Sequence, residues 1–218
     1  MDNIFKEYYS EDTLLIDIGS NIGQTLIKWI GIGGKASKYI GFDPNPNCYS
    51  YLYDLLTINK LENSKIICSG LSSKTGLSSF KLSNRYDPRA SSINGYRHNN
   101  ENDFELFLVL LDTNYCFKKL DLDYNKAIIK IDAEGSEYDI LFSLKNFINN
   151  FNPVIIVEIL SEKDILNSET NSIRKVKLEK ISNFLEDNNY EMSRITIHGM
   201  VNDQYNKLTD DYLCLPKK

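Results

Sequence analysis

Four acidic residues in this chain stand at the ends of short apolar runs, and their spacing suggests chemistry shared at one edge of a sheet. Asp17 closes Leu14-Leu15-Ile16, Asp43 closes Tyr39-Ile40-Gly41-Phe42, Asp132 closes Ala127-Ile128-Ile129-Lys130-Ile131, and Glu158 closes Val154-Ile155-Ile156-Val157. Runs of this kind fit strands buried on both faces, and ligands of open parallel sheets sit outside the carboxyl ends of the strands. The four carboxylates are therefore expected to face one crevice.

The first acid is followed by Ile18, Gly19, Ser20, Asn21, Ile22 and Gly23, and then by an amphipathic segment, Gln24 to Ile30. Strand, glycine turn and helix in that order expose backbone N–H groups to a ligand. A dinucleotide fingerprint requires a middle glycine where Asn21 stands, which disfavours a dinucleotide-dependent dehydrogenase. A phosphate loop requires G-x-x-x-x-G-K-[ST], and Trp29 and Ala36 occupy two of its places around Gly34-Lys35. An acid beside a glycine turn without a phosphate motif suits a cationic nucleoside, and S-adenosylmethionine is such a ligand. Asp43 lies about 20 residues beyond the turn, where an acid holds ribose hydroxyls in a doubly wound sheet. Asp17, Gly19, Ser20, Asn21 and Gly23 are expected to hold the methionine end of the cofactor, Asp43 and Pro44 the ribose, and Ser69, Gly70 and Leu71 the adenine.

At the other side of the crevice, Asp132 is the expected base for an acceptor hydroxyl, with Glu134 orienting the acceptor and His98 as an alternative base. Asp132, Glu134 and Glu158 also form a hard-oxygen set able to take a divalent cation, although no metal is predicted. The two histidines, His98 and His198, lie far apart, and the four cysteines form no C-x-x-C pair and are expected to be free buried thiols.

The chain has 218 residues, 42% of them hydrophobic, and is read as one domain over 1–218 with a substrate loop region at about 80–112. Its net charge of −5 argues against a nucleic-acid partner. No apolar run reaches the roughly 18 residues of a membrane span, and the expected location is the cytoplasm. Of five arginines, Arg85, Arg89 and Arg97 fall in that loop region, and from Lys81 to His98 the sequence carries four basic residues and one acid, Asp87. Arginine binds carboxylate and phosphate bidentately, so these three residues, together with Glu158, are the expected contacts of a small anionic acceptor.

Stepping along the remaining chain, Tyr49 to Leu56 reads as a helix, Lys65 to Gly70 as a third strand lying beside the first, and Gly76 to Leu82 and Phe104 to Leu111 as further strands. Gly31 to Gly34 reads as a helix stop. Ser136 and Asp139 have the spacing of a helix cap, before one helix whose apolar face runs from Ile140 to Ile148, and Asn152-Pro153 breaks it. Ile173 to Leu185 marks a last helix, and two strands, Arg194 to Ile197 and Tyr212 to Leu215, close the chain.

These pieces resemble the FkbM-type methyltransferases, which use S-adenosylmethionine. The matching residues are Ile16 to Gly23, Gly41-Phe42-Asp43-Pro44-Asn45-Pro46, Leu111-Asp112, Lys130-Ile131-Asp132-Ala133-Glu134-Gly135-Ser136-Glu137 and Val157-Glu158, in the family's order. Asp43 stands where that family usually has glutamate, and either acid can hold a ribose. The resemblance implies an α/β, class I methyltransferase (Rossmann-like) fold, with a mostly parallel seven-stranded sheet, helices on both faces and a closing antiparallel edge hairpin. It further implies O-methylation of sugars or related hydroxyls. A catalytically idle nucleoside-binding or scaffold protein of the same fold is the competing expectation.

Overall fold

A computed structural model describes residues 2–82, 91–92, 104–120, 122, 125–133, 135–159, 168–196, 199–201 and 211–217. After a short helix α1 (Asp2–Tyr8), strand β1 (Thr13–Ile18) is buried at all six positions. It is followed by α2 (Gln24–Gly31), β2 (Tyr39–Phe42), α3 (Pro46–Ile58), β3 (Lys65–Ile67), β4 (Gly70–Ser72), β5 (Gly76–Leu82), β6 (Ser91–Ser92), β7 (Phe104–Asp112) and α4 (Thr113–Leu120). Then come β8 (Lys126–Ile131), α5 (Glu137–Ser143), α6 (Lys145–Phe151), β9 (Val154–Glu158), α7 (Ser168–Asp187), β10 (Tyr190–Thr196), β11 (Gly199–Val201) and β12 (Asp211–Pro216).

The main sheet runs β11-β10-β12-β9-β8-β1-β2-β3, and the five strands from β9 to β3 are mutually parallel. Seven of its strands form the expected mostly parallel sheet, and β11 adds a short eighth beside β10. The last strand, β12, runs antiparallel between β9 and β10, so the closing pair is antiparallel but its final member is interior. Strand β3 lies beyond β2 at the sheet edge, not beside β1.

Alternation across buried strands splits the core in two. Ile16, Ile18, Ile129, Ile131, Ile155 and Val157 pack with α5, α6 and α7 through Leu141, Ile148 and Ile181. On the other face Leu15, Ile128 and Ile156 pack with α1, α2 and α3 through Phe5, Trp29 and Leu52. Helices thus cover both faces. Trp29 meets the rings of Phe5 and Tyr9 edge-on, and a Cβ at Gly34 would lie 2.3 Å from its indole. With Gly33 at φ +97°, the Gly31–Gly34 segment is the expected helix stop, packed beneath a tryptophan.

Gly76–Leu82 and Phe104–Asp112 are strands as expected, and they form with β4 and β6 a separate four-stranded sheet, β4-β7-β5-β6. One expectation for the helices needs correction. The segment from 137 to 151 is two helices rather than one, joined at Leu144, and Ser136 occupies the N-cap position without a side-chain capping bond. Asn152, at φ +46°, then ends α6 in the left-handed conformation. Among the described residues no helix is long and apolar enough to cross a membrane.

Candidate active site

The glycine turn after β1 is tied to its neighbours by backbone groups. Gly19 and Ser20 donate their N–H groups to the Phe42 carbonyl at the end of β2, and Asp132 N–H donates to the Ile18 carbonyl at 2.9 Å. The ends of β1, β2 and β8 are therefore drawn together. Gly19 has φ +83°, and a Cβ there would stand 1.8 Å from the Asp132 carbonyl oxygen. Only glycine lets the turn lie this close to β8. Gly23, at φ +91°, serves a different purpose: a Cβ would press on Leu52 and Leu55 of α3, so its lack of side chain seats α2 against α3.

Asp43 completes the turn. Its Oδ2 accepts from Asn21 N–H at 2.8 Å and its Oδ1 from Asn45 N–H at 2.9 Å, which fixes the carboxylate plane. Asn21 is held at φ +50°, a left-handed conformation that asparagine tolerates. Burial pushes Asp43 up to about 6, against the two backbone N–H groups that favour its charged form. Each oxygen keeps a second lone pair for a ligand hydroxyl.

Asp17 is fully buried, so its side chain lies behind the turn. Oδ2 accepts from the Tyr39 hydroxyl at 2.8 Å, and Oδ1 lies 3.9 Å from Lys130 Nζ with no hydrogen bond of its own. Burial raises Asp17 to about 6, opposed first by Lys130 and then by Tyr39. Pro44 is half-buried beside Asp43. Ser69 is buried, with its hydroxyl donated to the Gly70 and Val109 carbonyls, and Leu71 is buried in the core. In that segment the exposed side chain is Cys68, contrary to the expectation of four buried thiols; Cys48, Cys116 and Cys214 are buried. Cys48 donates to Asn21 Oδ1 at 3.5 Å.

The carboxyl end of β8 is built differently. Asp132, with 31% of its side chain exposed, accepts from Lys130 Nζ at 3.1 Å. Glu158 of β9 shares a hydrogen bond with Asp132, and Asp211 of β12 stands opposite Glu158 in register. Burial pushes the Glu158 carboxyl up to about 8, and Asp132 and Asp211 add to the effect against Lys130. Burial and its acidic neighbours thus favour the neutral form of Glu158. The loop after Asp132 is held from inside: Glu137 Oε1 accepts from Ala133 N–H at 3.2 Å and Gly135 N–H at 2.8 Å, and Lys177 of α7 donates to the Gly135 carbonyl.

Asp43, Asp132 and Glu158 accordingly meet at one edge of the sheet, whereas Asp17, fully buried behind the turn, does not face the crevice with them as expected. Glu134, His98, Arg85, Arg89 and Arg97 lie outside the described residues. Sequence reasoning missed Lys130, Tyr39, Glu137 and Lys177. A lysine among isoleucines in a buried strand was the available signal for the first, and the E-G-S-E spacing for the third. Tyr39 looked like any core aromatic, and Lys177 is 42 residues from its partner. Among the described residues no group of three acidic, histidine or cysteine side chains could hold a metal ion.

The donor set fits an S-adenosylmethionine-type ligand. Its wall is acidic, it holds a buried carboxylate with lone pairs to spare for hydroxyl groups, and the turn beside it carries no basic side chain for a phosphate.

The Methyltransferase FkbM domain matches residues 17–192. Among solved structures, the methyltransferase FkbM from Methylobacillus flagellatus KT is 17% identical, with a TM-score of 0.60 over 95% of this chain and 44% of that one. This chain thus spans less than half the length of the Methylobacillus protein. The SAH-bound methyltransferase PaMTH1 of Podospora anserina has a TM-score of 0.56 at 10% identity, covering 100% of this chain and 76% of that one. The O-methyltransferase from Bacillus cereus in complex with SAH has a TM-score of 0.53 at 9% identity, covering 100% and 78%. At such identities these likenesses establish the class I methyltransferase fold. No curated protein matches the chain.

Proposed function

This chain belongs to the FkbM methyltransferase domain family, whose members depend on S-adenosylmethionine, and from that premise we propose that it methylates an oxygen of a small anionic acceptor. The observation that carries the reading is Asp43, a buried carboxylate with both oxygens fixed by backbone N–H groups beside the glycine turn. When bound, the cofactor supplies an electrophilic methyl group on a sulfonium.

The Gly19–Gly23 turn and Ser20 support the methionine end, and Asp43 with Pro44 accepts the ribose hydroxyls. Cys68, Ser69 and Gly70 border the adenine, with Leu71 packing beneath them. Asp17 acts from behind, holding Tyr39 and Lys130 rather than touching the ligand, because its side chain is fully buried. In-line transfer asks the protein to align an oxygen and accept its proton. Asp132, part-exposed at the end of β8, takes that proton, and Glu134 orients the acceptor with Glu158 beside it. His98 is the alternative base. The acceptor is a hydroxyl- or phosphate-bearing molecule such as a sugar, sugar nucleotide or glycan precursor, bound through Arg85, Arg89 and Arg97.

Incubation with methyl-labelled S-adenosylmethionine and matched panels of neutral, phosphorylated and carboxylated sugars tests the reading. Label should pass to an anionic member, and neutral substitutions at the three arginines should raise its KM while leaving cofactor affinity alone. Transfer to neutral sugars only would refute the anionic acceptor, and an absence of cofactor binding would refute the whole assignment.

A further inference from the structure

Lys130 is out of place in β8. Its neighbours Ala127, Ile128, Ile129 and Ile131 are buried apolar residues, and Lys130 itself is only 7% exposed. An ammonium in such a position is strongly penalised unless it is paired. The register shows why it is tolerated: Lys130 stands opposite Asp17 in β1 and beside Ile156 in β9, and Asp17 stands opposite Gly41 in β2. Residues in lateral register leave a sheet on the same face, as do residues two apart in one strand. Lys130, Asp17 and Asp132 therefore share a face at the carboxyl edge, with no side chain at position 41 to crowd Asp17.

The ammonium lies 3.1 Å from Asp132 Oδ2 and 3.9 Å from Asp17 Oδ1. Among the described residues, the ion pairs recorded for these two acids are both with Lys130. Among the described residues, the titratable groups facing the cluster are Asp17 from β1, Tyr39 from β2 and Asp43 just after it, Asp132 just after β8, Glu158 from β9 and Asp211 from β12. Every one of them is acidic or phenolic, so among the described residues Lys130 is the cation that this acidic edge is organised around. Burial alone would push Lys130 down, yet Asp17 and Asp132 more than offset it and hold it above the ordinary lysine value.

We infer that Lys130 is a positioning residue for methyl transfer: its ammonium fixes the Asp132 carboxylate at the acceptor side of the crevice and, through Asp17, ties that carboxylate to the cofactor turn. The inference rests on the reading of Asp132 as the group that accepts the acceptor's proton. Lys130 meets neither ligand. Its effect is on where Asp132 points and on how readily Asp132 takes a proton, which a merely space-filling side chain would not govern.

The test uses the full chain labelled with ¹³C at the aspartate carboxyl carbons, the Asp132 signal being identified by its loss in Asp132→Asn. In Lys130→Met the pH midpoint of that signal should move upward by about one unit or more, because the neighbouring positive charge is gone. Lys130→Arg should restore most of the shift. Affinity for S-adenosylhomocysteine should change by less than about threefold, since the backbone-held turn and Asp43 stay in place, while kcat for an acceptor found in the panel falls. If Lys130→Met does not fold, Lys130→Gln, which removes the charge but keeps a hydrogen-bond donor toward Asp132, is read in the same way. An Asp132 midpoint unchanged from wild type in the folded variant overturns the inference even with cofactor binding intact. Wild-type protein that fails to bind S-adenosylhomocysteine overturns the methyltransferase reading instead, so the two failures are distinguishable.

Discussion

The two sides of the crevice are held by different forces. On the cofactor side, the turn from Gly19 to Asn21 is fixed by main-chain groups: two N–H bonds to the Phe42 carbonyl, and one from Asn21 to Asp43. On the acceptor side, the carboxyl end of β8 is fixed by side-chain charge, with Lys130, Asp132 and Glu158 in one hydrogen-bonded group. Bonds between main-chain groups do not depend on pH within the ordinary range, whereas carboxylates do: Asp43 at about pH 6 on the cofactor side, and the Glu158 group higher on the acceptor side. The first side should fail chiefly through shape, with Asp43 its one group sensitive to protonation, and the second through protonation.

The largest effect is expected from Gly19→Ala. Its Cβ would meet the Asp132 carbonyl of the adjacent strand at 1.8 Å, and φ +83° disfavours alanine independently. Backbone on both sides leaves little room to yield, so a loss of about 3 kcal/mol or more in stability is expected, with S-adenosylhomocysteine binding abolished. Urea denaturation and calorimetry check this; near-normal values of both would break the shape half of the comparison.

A smaller effect, on the other side, is a pH slope. Glu158 is raised to about 8 in the folded protein against an ordinary glutamate near 4.5, so between those values the folded state binds more protons than the unfolded one. Its contribution is fully present below about pH 4.5 and is lost as pH rises through about 8. Thermal stability should therefore decline across that window, and Glu158→Gln, which cannot ionise, should flatten the decline. Asp17 and Asp43, both raised to about 6, add slopes of the same sign that finish lower, by about pH 6. A Glu158→Gln slope identical to wild type above pH 6 would remove Glu158 from the coupled group.

The smallest effect belongs to neither side. Leu77 and Phe107, on β5 and β7 of the four-stranded sheet, are 73% and 71% exposed. Serine at either position should change stability by less than about 0.5 kcal/mol and leave S-adenosylhomocysteine affinity unaltered. A large loss of affinity in either variant would extend the cofactor side into the second sheet.

The same difference explains what could be read before the structure. Strand, glycine turn and helix lie within one continuous stretch, Thr13 to Gly31, so β1, α2 and the acids closing β2, β8 and β9 were legible from local pattern. The second sheet was not, because alternation in Gly76–Leu82 and Phe104–Asp112 is the same whichever sheet a strand joins; only long-range pairing such as Leu77 with Val109 decides it. Ser69 seemed a ligand-facing hydroxyl, yet it is consumed by a carbonyl 40 residues away. A lysine among isoleucines marked Lys130 locally, but its pairing with Asp17 required knowledge that β1 and β8 are neighbours in register, and no local signal carries that. The backbone-built side was therefore legible, and the charge-built side became so only once strands were paired.

The most direct test of the account is calorimetric titration of S-adenosylhomocysteine into the wild-type protein and Asp43→Ala. The account predicts one site in the wild type and, in the folded variant, an affinity lower by about tenfold to a hundredfold, the loss of hydrogen bonds worth about 1.5–3 kcal/mol to a charged acceptor. Equal affinity in the two folded proteins, or no binding by the wild type, would contradict it.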